Sequence, residues 1–161
     1  MNLKRSIVFK EKGNHQVFCV AESEIAVLIR ESLDKNIRRK IIRKHLLDTI
    51  TGKEFCKSLS NGHLIIRNTK RDSSHLTHNE HLDTSLALTS VKELIEFSEY
   101  IGEQALDASK KPNSPNDYYW YFKVTVEIDG VEYIYTLNIG RNKTDKHACL
   151  YAITNYNKKE R

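Results

Sequence analysis

The chain has 161 residues, a formal charge of +5 from 26 basic and 21 acidic side chains, 39% apolar and 29% charged residues, and only 6 Gly and 2 Pro. These proportions exclude collagen-like, mucin-like and mostly disordered chains and suit one globular domain with a helical extension. No apolar run, Ile25–Ile29 included, approaches the ~20 residues of a membrane span, and Ser6–Phe9 is too short for a secretory leader, so a cytoplasmic protein without membrane contact is expected.

Ser6–Phe9 and Gln16–Val20 flank the turn pair Gly13-Asn14 and read as a hairpin. Ser23 then caps a helix, and the apolar series Ile25, Leu28, Ile29, Leu33 continues at helical spacing through Ile37, Ile41, Ile42, Leu46, Leu47 and Ile50. Asp34–Asn36 breaks it, because Asp and Asn favour caps over helix interiors, and Gly52 closes the second helix. That second helix carries Lys35, Arg38, Arg39, Lys40, Arg43 and Lys44, a basic run matched by the tail Lys158, Lys159 and Arg161. Residues 1–36 are taken as an N-terminal extension, a hairpin plus a helix, and 37–161 as the main α+β domain.

After a short polar stretch, His63–Arg67 reads as a strand entered through Asn61-Gly62. A polar connection runs from Asn68 to Ser74, and His75–Leu82 is either a helix start or a loop. Ser90 with Glu93 reads as a capping box opening a long helix over Ser90–Ala108, with Leu94, Ile95, Phe97, Ile101 and Leu106 on its buried side. Ser109–Asp117, which holds both prolines, is a surface loop.

Asp129-Gly130 is a type I′ turn pair, and it sets the register of a hairpin. Ile128 faces Val131, Val126 faces Tyr133, Val124 faces Tyr135, Phe122 faces Leu137 and Trp120 faces Ile139. All ten lie on one side, so a one-residue slip would expose the whole apolar set. The other side carries Tyr119, Tyr121, Lys123 and Thr125, and a basic loop, Arg141–His147, leads to a last strand at Ala148–Thr154. The expected fold is α+β: N-terminal helices, then a mostly antiparallel sheet of about four strands with the long helix packed on one face.

The densest polar constellation is Ser73–His81, where histidines recur at 75, 78 and 81. Helical spacing spreads such imidazoles around the axis, and no Cys or second His cluster at ligand spacing completes a metal set, so neither metal nor cofactor is expected. Acid–base use remains, since histidine titrates near neutral pH. His75 or His78 with Lys123, Arg67 or Arg141 would supply the base, acid and cation that RNA cleavage by its own 2′-oxygen needs. The alternative is a solvated polar loop. Tyr119, Tyr121, Lys123 and Thr125 suit base stacking and phosphate contact, and equally suit a half-exposed strand face. Arg38 and Arg39 on the basic helix, and Arg141 and Lys143 in the basic loop, are further nucleic-acid candidates. The Gly-rich phosphate loop, GxSxG, HExxH and the dinucleotide fingerprint are absent, and no carboxylate–x–Lys strand motif of metal-dependent nucleases occurs in the hairpin.

From Ile37 onward, Thr51-Gly52-Lys53 after a helix, "HLIIRN", "SVKELIEFSEY", "YYWYFKVTVEIDGVEYIYTLNIGRN" and "CLYAIT" together resemble the third large polyvalent protein-associated domain of phage and mobile-element proteins. The resemblance implies the barnase, EndoU, colicin and RelE type of fold, whose members are metal-independent ribonucleases or toxins. It places Ser74-His75 and His78 where relatives tend to carry a histidine after the first core strand. The implied partner is RNA rather than DNA, with a protein encoded by the same element as a second partner. A non-enzymatic nucleic-acid- or protein-binding module on the same fold is the rival expectation.

Overall fold

The computed structural model describes residues 8–12, 15–20, 23–78, 81–107, 109 and 112–155. The expected turn at Gly13-Asn14 and the basic tail lie outside them.

The chain opens with β1 (Val8–Lys12) antiparallel to β2 (His15–Cys19). Helix α1 (Glu24–Glu31) starts where Ser23 Oγ accepts from Ala26 N at 3.1 Å, and α2 (Lys35–Thr49) starts where Asp34 accepts from Asn36 N at 2.7 Å. Both caps satisfy amide donors that the first helical turn leaves open. A hairpin of β3 (Glu54–Leu59) and β4 (Gly62–Arg67) follows, then the short helices α3 (Lys70–Leu76), α4 (Leu82–Leu88) and α5 (Val91–Phe97). Strand β5 (Glu99–Ala105), the long hairpin of β6 (Asn116–Ile128) and β7 (Val131–Asn142), and β8 (Ala148–Asn155) complete the elements.

Among the described residues all eight strands belong to one sheet, ordered β1-β2-β6-β7-β8-β4-β3, with β5 on the same edge of β6 as β2. The β2–β6 and β4–β8 pairs are parallel and the others antiparallel. The sheet curls. Lys57 of β3 donates to the carbonyls of Glu96 (2.9 Å) and Ser98 (2.8 Å), and its ammonium stands 5.6 Å from the centroid of the Phe122 ring on β6. Inside the curl, Phe122, Val124, Val126, Tyr135, Leu137 and Ile139 meet Ala26 and Ile29 of α1, Leu46 of α2 and Leu94 of α5 in one buried cluster. Tyr135 brings a hydroxyl into that core, and it donates to Asp83 of α4 at 2.8 Å. No helix among the described residues is long and apolar enough to cross a membrane.

The α+β class stands, and the β6–β7 register matches the sequence pattern pair for pair. The expected four-stranded, mostly antiparallel sheet under a long helix does not. Eight strands form a mixed sheet, and the helical reading of Ser90–Ala108 ends at Phe97. Beyond it, Tyr100 packs edge-to-face on Phe122 at 5.8 Å, and the chain pairs with β6 through a bulge at Ile101 next to Gly102, whose φ of +153° no helix permits. Pairing with an open edge of β6 overrides the helical spacing of Ile101 and Leu106. Ser90 precedes α5 but makes no side-chain capping bond, because its φ −119°, ψ 25° is not the extended geometry of a capping residue. The polar stretch before His63 is β3, where Phe55, Lys57 and Leu59 alternate inward. The polar connection Asn68–Ser74 contains most of α3, opened by a full capping box: Thr69 Oγ1 accepts from Asp72 N (3.2 Å) and Asp72 accepts from Thr69 N (2.9 Å).

Candidate functional site

Helix α3 sits against β8, fixed by its inward side. Leu76 joins the core, and buried Ser73 shares a 2.7 Å hydroxyl contact with Thr51. Its last turn therefore presents His75 outward, and the turn after it returns His78 alongside. The two imidazoles lie edge to face with centroids 5.8 Å apart.

His75 also stacks on Tyr151 of β8, centroids 4.4 Å apart and planes 24° apart. Tyr151 owes its position to a bulge. Asn138 pairs with Ala152 and Ile139 with Leu150, so Tyr151 is the extra residue between them. Bulges of this kind re-aim a side chain that regular alternation would place elsewhere. The Tyr151 ring meets Tyr119 at 5.9 Å, and Tyr119 stacks on Tyr121 at 6.2 Å, which makes an aromatic row running from α3 across β8 to β6.

Three hollows open around this row, and Tyr151 borders all of them. One, of about 710 Å³, lies over Tyr119, Tyr121, Asn138 and the loop residues Pro112–Pro115. A second, of about 570 Å³, runs past Arg71, Asp72, His75, His78, Lys143 and Cys149. They share Asn113, Pro115 and Tyr151 and so form one groove. The small third hollow lies behind His75 and His78. The loop over the groove is tied down where Lys143 N donates to the carbonyl of Pro115 (2.9 Å) and its ammonium donates to that of Pro112 (3.1 Å). Asn116 holds Tyr119 through a 3.3 Å bond to the phenol oxygen, and there is room for this because residue 140 is glycine. A Cβ there would lie 2.4 Å from Asn116 Nδ2. Among the described residues the buried Oδ1 of Asn138 has no hydrogen-bond partner.

Partial burial, and then the neighbouring His78, push the His75 imidazole below the usual histidine value, against a weaker opposing pull from Asp72. Burial, and then Tyr119, raise the phenols of Tyr121 and Tyr151, so both stay neutral donors. At Asp72 in the groove wall, His147 donates from Nε2 to Oδ2 at 2.8 Å and bonds Asp145 through Nδ1. Burial opposes charge on His147, but these two carboxylates outweigh it and raise its pKa. Burial, and then Asp72, push the Cys149 thiol up.

The groove thus gathers five of the residues singled out from sequence: His75, His78, Tyr119, Tyr121 and Lys143. Others lie apart. Lys123 borders none of the three hollows and pairs across to Glu99 and Thr136. Thr125 is half-buried opposite Ile134. Arg141 is engaged by Asp117 at 2.8 Å and covers the Tyr118 ring, while Arg141 and then Lys146 (2.6 Å) hold the Asp117 carboxyl down to about 2. Arg67 is exposed at the end of β4 opposite Glu54, and Arg38 and Arg39 are half-buried on α2, Arg38 donating to the Ser32 carbonyl at 3.1 Å. His81 immediately precedes α4, beyond the pair.

Sequence reasoning did not find Tyr151, Asn138, Arg71 or Asp72 as groove residues. Tyr151 carries no signal, because its role comes from a one-residue bulge that strand alternation hides. Asp72 does carry one: Thr69-x-x-Asp72 is a capping signature that would have placed α3. Comparison with protein-family models, with curated proteins and with solved structures finds no match to this chain.

Proposed function

We propose that the chain binds single-stranded RNA along the tyrosine groove and cleaves it without a metal ion, by attack of the 2′-oxygen on the adjacent phosphate. The observation that carries this reading is the stack of His75 on Tyr151, which joins an imidazole pair to a row of aromatic rings. Bases stack on Tyr119, Tyr121 and Tyr151. Arg71 and Lys143 border the same hollow as the histidines and offset charge on the phosphate.

His75, held neutral by its lowered pKa, takes the 2′-hydroxyl proton. The 2′-oxygen bonds to phosphorus, the bond from phosphorus to the 5′-oxygen breaks, and His78 gives the leaving oxygen its proton. The products are a 2′,3′-cyclic phosphate and a 5′-hydroxyl end. The likeness to ribonuclease-type domains of phage and mobile-element proteins points the same way, and with it to a cytoplasmic setting and an element-encoded protein partner.

The test is cleavage of end-labelled RNA with a chelator present, comparing the wild type with His75→Ala/His78→Ala. A loss of at least a hundredfold is expected, with no cleavage of a strand carrying 2′-deoxyribose at the scissile position. Equal cleavage by both proteins, or none by either, overturns the catalytic reading. Salt-dependent binding without turnover would instead identify a binding module.

A further inference from the structure

At the wall of the groove, Asp72 and Cys149 belong to a second constellation that the cleavage chemistry does not use. We propose that Asp72, His147 and Cys149 bind a zinc-like divalent ion. Their carboxylate oxygen, imidazole nitrogen and sulfur all lie within 4.8 Å of one another. Each is delivered by an anchored element. Asp72 is locked into the capping box of α3, whereas His147 immediately precedes β8 and Cys149 is its second residue. Two residues apart in extended chain, His147 and Cys149 project to the same side, and α3 packs Asp72 against them.

Three features favour a metal ion over a mere hydrogen-bond cluster. One thiolate, one imidazole and one carboxylate form a donor set for zinc, whereas magnesium and calcium take oxygen alone. Asp145 holds His147 Nδ1 and so turns Nε2 toward Asp72, the carboxylate–histidine arrangement that orients metal-bound imidazoles. Asp72 and Cys149 border the larger His75 hollow, which gives an ion a way in and leaves one tetrahedral position for water.

The proton count also closes. Entry of one dication expels the proton between His147 and Asp72 and the thiol proton of Cys149, so the charge of the cluster is unchanged. The His147 Nε2 to Asp72 Oδ2 separation of 2.8 Å must open to about 3.4 Å, the ligand spacing that zinc bond lengths and a tetrahedral angle require.

Cobalt(II) provides the test, because thiolate ligation gives a near-ultraviolet charge-transfer band and tetrahedral geometry gives strong visible bands. The full chain carrying Cys19→Ser and Cys56→Ser, stripped with a chelator, is expected to bind one equivalent of cobalt with both signatures and to lose them when zinc is added. Cys149→Ser in that background removes the charge-transfer band. Asp145→Asn lies outside the ligand set, and its amide oxygen can still accept from His147 N. It is expected to weaken binding about 10–100-fold. No thiolate band at micromolar cobalt, a band that survives Cys149→Ser, or unchanged affinity in Asp145→Asn overturns the site. The inference stands apart from the cleavage reading. His75→Ala/His78→Ala is expected to bind cobalt like the wild type, and loss of binding there would move the ion to the histidine pair and overturn it.

Discussion

Asn68 holds Leu150 by both ends of its amide: Nδ2 donates to the Leu150 carbonyl at 3.1 Å and Oδ1 accepts from the Leu150 amide at 2.8 Å. The side chain, 3% exposed, stands in for a strand where the parallel β4–β8 ladder consists of the single pair Ile66–Ala148. Its own carbonyl accepts from Gly52 N at 2.8 Å, so one residue ties the turn after α2 and the end of β4 to β8. Asn68→Ala leaves two buried backbone groups of Leu150 without partners. The expected cost is about 2–4 kcal/mol, with the midpoint of thermal unfolding lowered by roughly 5–15 °C. Denaturant and thermal unfolding measure both.

Tyr151 is the hinge of the groove. Tyr151→Ala is expected to weaken binding of single-stranded RNA by about 1–3 kcal/mol, roughly 5- to 150-fold, whereas Tyr151→Phe keeps the ring and stays near wild type. Anisotropy titrations at one fixed salt concentration compare the two. An equal loss in both would transfer the role from the ring to the hydroxyl.

Cleavage should depend on pH in a defined direction. His75 acts as base only when neutral, and its folded pKa lies below the ordinary 6.5. The acidic limb of the rate profile is therefore expected to have its midpoint below 6.5. The stability change has a matching sign. Between the lowered folded value and 6.5 the unfolded chain binds more protons at this site, so His75 lowers stability as pH falls through that window and has no effect above it. His75→Gln removes this contribution, and its unfolding midpoint is expected to depend less on pH over the same range.

Gly140→Ala tests the support of Tyr119. The new methyl would displace Asn116 and break its bond to the phenol, at an expected cost of about 1–3 kcal/mol. Combining it with Asn116→Ala, which removes the obstructing amide, is expected to cost less than the sum of the two single changes. A double-mutant cycle on unfolding free energies measures this coupling.

The parts of the fold that were legible in the sequence are those set by local chemistry. Asp129-Gly130 specified the β6–β7 turn, and ten alternating apolar residues specified its register. Ser23 and Asp34 marked helix starts by side-chain capping. Where the sequence misled, a distant partner decided. Glu99–Ala105 carries helical spacing but pairs with β6, and the edge strand β3 shows itself only through the curl that brings Lys57 to Ser98. The site divides in the same way. His75 and His78 meet because they are three residues apart, whereas Asp72 and His147, 75 positions apart, meet through α3 packing that no local pattern encodes.

The two parallel junctions of the sheet have a consequence for how the protein folds. Cys19 of β2 donates to Glu127 of β6 across 108 positions, and Asn68 reaches Leu150 across 82. Closing chain loops of that length costs entropy before any contact offsets it. The β1–β2 hairpin takes its neighbour from β6 and the β3–β4 hairpin from β8, so both hairpins of the earlier half of the chain are completed by residues of the later half. During synthesis β2 and β4 therefore keep an open edge until the residues of β6 and β8 are made, an interval in which wrong strand pairing competes with the native one.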